Sequence, residues 1–193
     1  MKVLISSHID TVFQDPFARV KNNGIFLGAC DNFASVMVVG RLLDEPDLYI
    51  ELTEDEERNM DGCRYVARQY DPSEMFIIVL DVEERAIAGK KTNFTVENWH
   101  GITEKHIKRA LKEFNGHYKR IKEGTESEAW LYKELGFACL EVDIPVSGGL
   151  HSLDSKARIE DILKVSKAVK AIADYVRDKT REELGDIYKV GEK

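Results

Sequence analysis

Five short stretches of this chain place metal-binding side chains where an apolar or turn-forming segment ends. His8-Ile9-Asp10 follows the apolar run Val3-Leu4-Ile5. Side chains two apart in an extended segment point the same way, so Asp10 can accept a proton from the His8 ring and leave the other nitrogen free to bind a metal. The same spacing also serves a structural hydrogen-bonded pair. Asp31 opens a helical pattern, where an aspartate acts as an N-cap or turns one oxygen toward each of two cations. Glu54-Asp55-Glu56-Glu57 puts carboxylates side by side after a strand-like segment. Such a run is either a solvated loop or a turn in which one carboxylate binds metal while its neighbour handles the proton of an activated water. Asp81 directly follows the most apolar run, Met75-Phe76-Ile77-Ile78-Val79-Leu80, and must reach the surface or find a partner. His151 sits in Ser147-Gly148-Gly149-Leu150-His151-Ser152, a glycine-rich loop whose backbone can approach a ligand closely. His100, His106 and His117 belong to no such constellation and read as surface residues.

Each bland reading is ordinary alone, but all of them together are not. Combined, the stretches supply two imidazoles and three or four carboxylates, a mixed nitrogen and oxygen donor set that suits Zn²⁺, or Mn²⁺ and Co²⁺. The three cysteines, Cys30, Cys63 and Cys139, are odd in number and widely spaced. They fit a reducing compartment and small buried hydrophobes, and form neither a disulfide framework nor a cysteine-rich zinc motif.

The elements that must position these residues follow from periodicity. Strands are expected at 3–5, 48–53, 75–80, 117–121 and 138–142, with a hairpin of 17–20 and 25–27 around Asn22-Asn23-Gly24 and short strands near 86–88 and 93–95. Helices are expected at 32–43, 60–70, 103–114, 127–135 and 159–177. This alternation predicts an α/β fold, a three-layer αβα sandwich with a mixed, largely parallel central sheet. In such sheets ligands bind outside the carboxyl ends of the strands, and that is where the candidate residues fall. One domain over 1–178 and a charged, loose tail over 179–193 are the expected organisation.

Composition narrows the function. A chain of 193 residues buries roughly 70% of its extended surface, so a sizeable core is available. The formal charge of −7 and the lack of a basic stripe disfavour nonspecific binding to nucleic acid or anionic membranes, and neither is expected as a partner. The opening apolar run is too short for a signal peptide and no stretch reaches the ~20 apolar residues of a span, so the expected location is the cytosol.

In order and local wording, the motifs resemble the zinc-dependent aminopeptidase clan, which includes leucyl, tetrahedral and glutamyl aminopeptidases and related carboxypeptidases and deacylases. The resemblance rests on His8-Ile9-Asp10-Thr11-Val12, Gly28-Ala29-Cys30-Asp31-Asn32, Thr53-Glu54-Asp55-Glu56-Glu57, Val79-Leu80-Asp81 and Leu150-His151-Ser152. Gly124-Thr125-Glu126-Ser127-Glu128-Ala129 also looks like the turn that lines the substrate cleft of the tetrahedral enzymes. The resemblance implies two zinc ions per chain, with Co²⁺ or Mn²⁺ as substitutes. Asp31 would bridge them, His8 and Asp81 completing one set and Glu57 and His151 the other. Asp10 would orient His8, and Glu56 would be the general base. It further implies a zinc-exopeptidase-like fold and a short peptide or acylated amino acid as substrate; a homo-oligomer is expected because a small domain with uncovered edge strands and no lid favours pairing with another chain.

Departures from the clan pattern bear on the cleft. The clan usually carries several dozen residues before its His-x-Asp strand, whereas here that strand opens the sequence. Only 22 residues separate His8 from Asp31 and 69 separate Asp81 from His151, which leaves no room for an inserted lid or dimerisation domain. Arg58-Asn59-Met60-Asp61-Gly62 replaces the commoner small, glycine-containing continuation after the paired glutamates. An aminopeptidase is the leading expectation and a carboxypeptidase or N-deacylase the second. A metal-binding or interaction protein without turnover is the third; such a protein has no need of Glu56.

Overall fold

The structure is a computed structural model that describes residues 1–124 and 126–185. In chain order the strands are Lys2–His8 (β1), Ala18–Lys21 (β2), Ile25–Gly28 (β3), Leu48–Thr53 (β4), Met75–Glu84 (β5), Phe94–His100 (β6), Tyr118–Arg120 (β7), Ala138–Ser147 (β8) and Lys156–Arg158 (β9). The helices are Cys30–Gly40 (α1), Asp61–Ala67 (α2), Arg85–Ala88 (α3), Glu104–Ala110 (α4), Glu128–Glu134 (α5), Ile159–Arg177 (α6) and Arg181–Leu184 (α7).

All the strands join one sheet in the order β2-β3-β9-β8-β5-β1-β4, with β6 also on β8 and β7 on β6. The centre, β8-β5-β1-β4, is parallel, while β2, β3, β6 and β9 make antiparallel pairs. Central parallel strands are covered on both faces and must be apolar on both. In β5, Phe76, Ile78 and Leu80 are buried in one core cluster and Met75, Ile77 and Val79 in the other. The first cluster includes Val38 of α1 with Val165, Val169 and Ile172 of α6; the second includes Cys63 and Val66 of α2 with Ala129 and Tyr132 of α5. The expected three-layer arrangement is therefore present. Helix α6 starts and stops where its apolar period predicts, because Ile162, Val165, Val169, Ile172 and Val176 fall on one stripe.

Other boundaries differ. Asp81 lies inside β5 and not at its end, because β8 runs beside β5 as far as Glu84↔Val146 and keeps supplying hydrogen-bond partners. Residues 86–88, expected as a strand, belong to the short α3. Their turn is fixed by Arg85, whose guanidinium donates to Thr92 O at 2.6 Å and Pro145 O at 2.7 Å and pairs with the buried Asp161. Strand β9 carries too little apolar periodicity to be read from sequence and exists because β3 and β8 both pair with it. Part of the expected loose tail is ordered. Thr180 caps α7 with a reciprocal Glu183 bond, and Leu184 is fully buried. The rest of that tail, residues 186–193, lies outside the described residues. All three cysteines are buried and free. Among the described residues no helix is long and apolar enough to cross a membrane.

Candidate metal centre

The parallel strands β1, β4, β5 and β8 end on one side of the sheet, and each delivers a candidate residue there. His8 is the last residue of β1, paired in register with Thr53 of β4, and is 2% exposed. Just past Thr53, the chain turns sharply through Asp55 (φ 68), whose carbonyl accepts from the amides of Asn59 at 3.0 Å and Met60 at 2.6 Å. Gly62 closes that turn; a Cβ there would lie 2.5 Å from Glu54 O, so a side chain does not fit. Asp10 clamps the turn from outside, its two oxygens accepting from the amides of Glu56 and Glu57 at 3.3 Å each. One of those oxygens also lies 3.4 Å from His8 Nδ1. A single carboxylate thus fixes both the imidazole and the paired glutamates.

Asp31 sits near the start of α1, but the N-cap alternative is not realised: no side chain caps this helix, and Asp31 has non-helical backbone angles. The Asp31–Asn32 peptide is cis. Asn32 secures the segment to the sheet by donating to Leu80 O at 2.9 Å and Ser7 Oγ at 3.4 Å, and Ser35 Oγ donates to Asp81 O at 3.2 Å. His151 hangs from the loop after β8 and is the exposed member, its side chain 56% accessible.

The five candidate ligands converge. His8 Nε2 lies 3.3 Å from Asp31 Oδ1 and 3.5 Å from Asp81 Oδ1, while His151 Nε2 lies 3.3 Å from Asp31 Oδ2 and 3.4 Å from Glu57 Oε2. Glu56 Oε2 is 4.0 Å from His8 Nε2. Ligands about 2.0–2.2 Å from a tetrahedral ion lie roughly 3.3–3.6 Å apart, which is the spacing found in both sets. The Nε2 of the buried His8 and Glu57 Oε1 lack hydrogen-bond partners among the described residues, an unfavourable state that a cation relieves, while His8 Nδ1 faces Asp10. The residues therefore offer donor sets that fit a divalent cation.

The electrostatics agree. Burial, then the nearby Asp81, pushes the Glu56 carboxyl up to about 8, with Glu57 and Asp31 adding to the shift. Burial likewise raises Asp31 and Glu57. Burial would lower His8, but the carboxylates of Asp10, Asp31 and Asp81 outweigh it and hold the ring well above its usual value. Burial would raise Asp10, yet His8 and the two amides keep it below the usual carboxylate range. Clustered acids with perturbed pKa values in a cleft mark a candidate functional site.

The centre opens into a cleft of about 850 Å³ whose walls include Arg58, Asp61, Arg64, Glu126 and the half-exposed Trp130. Thr125 of the expected cleft turn lies outside the described residues. His106 is engaged elsewhere, its Nδ1 2.6 Å from Tyr175 Oη. Sequence reading missed a group of fully buried acids behind the centre. Glu128 accepts from Ser6 Oγ at 2.7 Å, and Glu97, Glu141 and Asp143 cluster between β6 and β8. Their signal was the alternation of Glu141 and Asp143 within an apolar strand that runs beyond the expected stop at 142.

Comparison with protein-family models gives no match, and comparison with curated sequences gives none either. Comparison with solved structures does. The Pyrococcus horikoshii TET1 peptidase superposes over 82% of this chain and 53% of its own at 19% identity, TM-score 0.59. An aminopeptidase from the archaeon Desulfurococcus kamchatkensis matches 93% of this chain and 56% of its own at 16% identity, TM-score 0.64. Aminopeptidase PepT from Bacillus cereus matches 91% and 80% at 12% identity, TM-score 0.66. The chain spans about half the length of the first two. The agreement is one of architecture, and by it the chain has an aminopeptidase-like fold.

Proposed function

We propose that the chain is the catalytic core of a metal-dependent aminopeptidase that holds two zinc ions and hydrolyses an amide bond of short peptides. The observation that carries this reading is Asp31, whose two oxygens each face a different imidazole at 3.3 Å. His8, Asp31 and Asp81 would hold one ion, and Asp31, Glu57 and His151 the other; Co²⁺ or Mn²⁺ would serve the same donor set. When bound, the ions supply Lewis acidity that polarises a scissile carbonyl and makes a water acidic enough to react near neutral pH. Asp10 holds the His8 ring and the Glu56–Glu57 turn at fixed angles, so both sets keep their geometry through turnover. Glu56, half-buried at the cleft floor, takes a proton from the attacking water and passes it to the leaving nitrogen. Asp61 and Glu126 on the cleft wall offer negative charge for a free α-amine.

Arg58 and Arg64 favour a second reading. Two guanidiniums on the wall of this cleft suit a substrate carboxylate, as in a carboxypeptidase or a deacylase of acylated amino acids. Self-association is part of the proposal as well. The TET1 peptidase is described as assembling into a tetrahedron or a large octahedral shell, and here β4 is an open sheet edge. Elution as a strict monomer with light scattering would remove that part.

Metal content after zinc loading and desalting tests the centre: close to two ions per chain is expected, lost in Asp31→Ala. Glu56→Gln is expected to keep both ions while kcat on aminoacyl amides falls by about 10²–10⁴. A wild-type chain without tightly held metal would end this reading. Turnover of acylated amino acids in place of aminoacyl amides would select the second.

A further inference from the structure

Behind Asp81 the sheet contains a second, separate group of acids. Strand β8 carries Glu141 and Asp143 between Leu140, Val142 and Ile144, and β6 sets Glu97 directly opposite Glu141 and Thr95 opposite Asp143. Glu97, Glu141 and Asp143 are each 1% exposed, and one oxygen from each lies within 4.8 Å of the others. Like charges facing each other across strands destabilise a sheet, and a buried carboxylate without a counter-charge is costly.

The surroundings are nevertheless arranged for ionised carboxylates. Thr95 Oγ1 donates to Asp143 Oδ2 at 2.6 Å, and Glu141 Oε2 accepts from both Ser127 Oγ at 2.5 Å and Asn98 Nδ2 at 2.8 Å. Hydrogen bonds of this kind favour the charged form of a carboxylate. A buried carboxylate held in that form calls for a positive charge, and the ion pairs among the described residues supply none to Glu141 or Asp143. A further observation points the same way: Asp143 Oδ1 is buried and has no hydrogen-bond partner among the described residues.

We propose that Glu97, Glu141 and Asp143 form a third cation site, distinct from the cleft, that takes a hard divalent ion of the calcium class. Oxygen-only ligation selects such ions over zinc. Oxygens at ~2.3–2.6 Å from one calcium are at most roughly 5 Å apart, so a separation within 4.8 Å is compatible with shared coordination. The hydroxyls and the amide of Thr95, Ser127 and Asn98 act as the outer shell that orients the carboxylates. Asn98 and Gly124 line a surface hollow of about 650 Å³, and Glu97 packs so tightly on Gly124 that a Cβ there would fall 2.1 Å from its Oε1. The ion would brace the sheet behind Asp81, which pairs in register with Asp143.

Calcium chloride titrated calorimetrically into chelator-stripped Asp31→Ala protein, whose cleft lacks its bridging carboxylate, tests the site without reference to peptidase activity. One calcium per chain and a raised Tm are expected. Adding Glu141→Gln and Asp143→Asn is expected to weaken binding at least tenfold, and Asp143→Asn alone serves if the combined variant does not fold. No uptake at millimolar calcium by the folded Asp31→Ala protein, or uptake unchanged by Asp143→Asn, overturns the site and leaves the acids holding protons. One calcium in a chain that holds no zinc would support this site and reject the peptidase reading.

Discussion

At the scale of single residues, Asp10 has more to do than its position beside His8 suggested. It contacts the imidazole and also accepts from the amides of Glu56 and Glu57, so one substitution loosens both ligand sets. Asp10→Asn is expected to lower zinc affinity by about 10–100-fold, measured by competition with a chelator; unchanged affinity would reduce Asp10 to a turn residue. The raised pKa values of His8, Asp31, Glu57 and Glu56 set a second expectation. Groups raised in this way bind protons more tightly than free ones, and a cation competes with those protons. Zinc uptake at pH 7 should therefore release protons, and affinity should rise with pH. Calorimetry in buffers of different ionisation enthalpy reads this directly, and heat independent of the buffer would contradict it. His8, Asp31, Glu57, Asp81 and His151 were legible because each is a metal-binding type at the end of an apolar or glycine-rich stretch. Glu97 and Glu141 were not, since an acid inside a buried strand looks like any outward-facing polar residue until its cross-strand neighbour is known.

At the scale of elements, the Glu54–Gly62 turn decides whether the paired glutamates reach the centre. Gly62 approaches the Glu54 backbone too closely for a side chain. Gly62→Ala is expected to destabilise the fold by about 1–3 kcal/mol and to cut metal content, read by urea denaturation and elemental analysis. Wild-type stability and metal content in this variant would show that the turn is free to move. Helix α6 makes the opposite case. Its pattern was readable because burial and helical period coincide along its whole length, whereas α3 and β9 are set by Arg85 and by the flanking strands β3 and β8 and carry little pattern of their own.

At the scale of the whole molecule, the buried acids behind the sheet tie stability to pH. Glu141 and Asp143 have folded-state pKa values well above their unfolded ones, so the stability they contribute is complete below the unfolded values, near ~4, and is lost as pH rises through the folded ones. Melting of the chelator-stripped protein should therefore become easier as pH rises above ~4 toward the folded values, and calcium should flatten that dependence. Melting temperatures that climb steadily with pH would exclude a protonated cluster. The sequence by itself determined the α/β class, the separation of central strands from amphipathic helices, and the residues with the chemistry to bind metal, because these depend on local composition and period. Only the tertiary structure decided which of them meet. Parallel strands from distant parts of the chain bring Asp31 between His8 and His151, and the pairing of β6 with β8 sets Glu97 against Glu141, since strand register is a property of neighbours that no single segment contains.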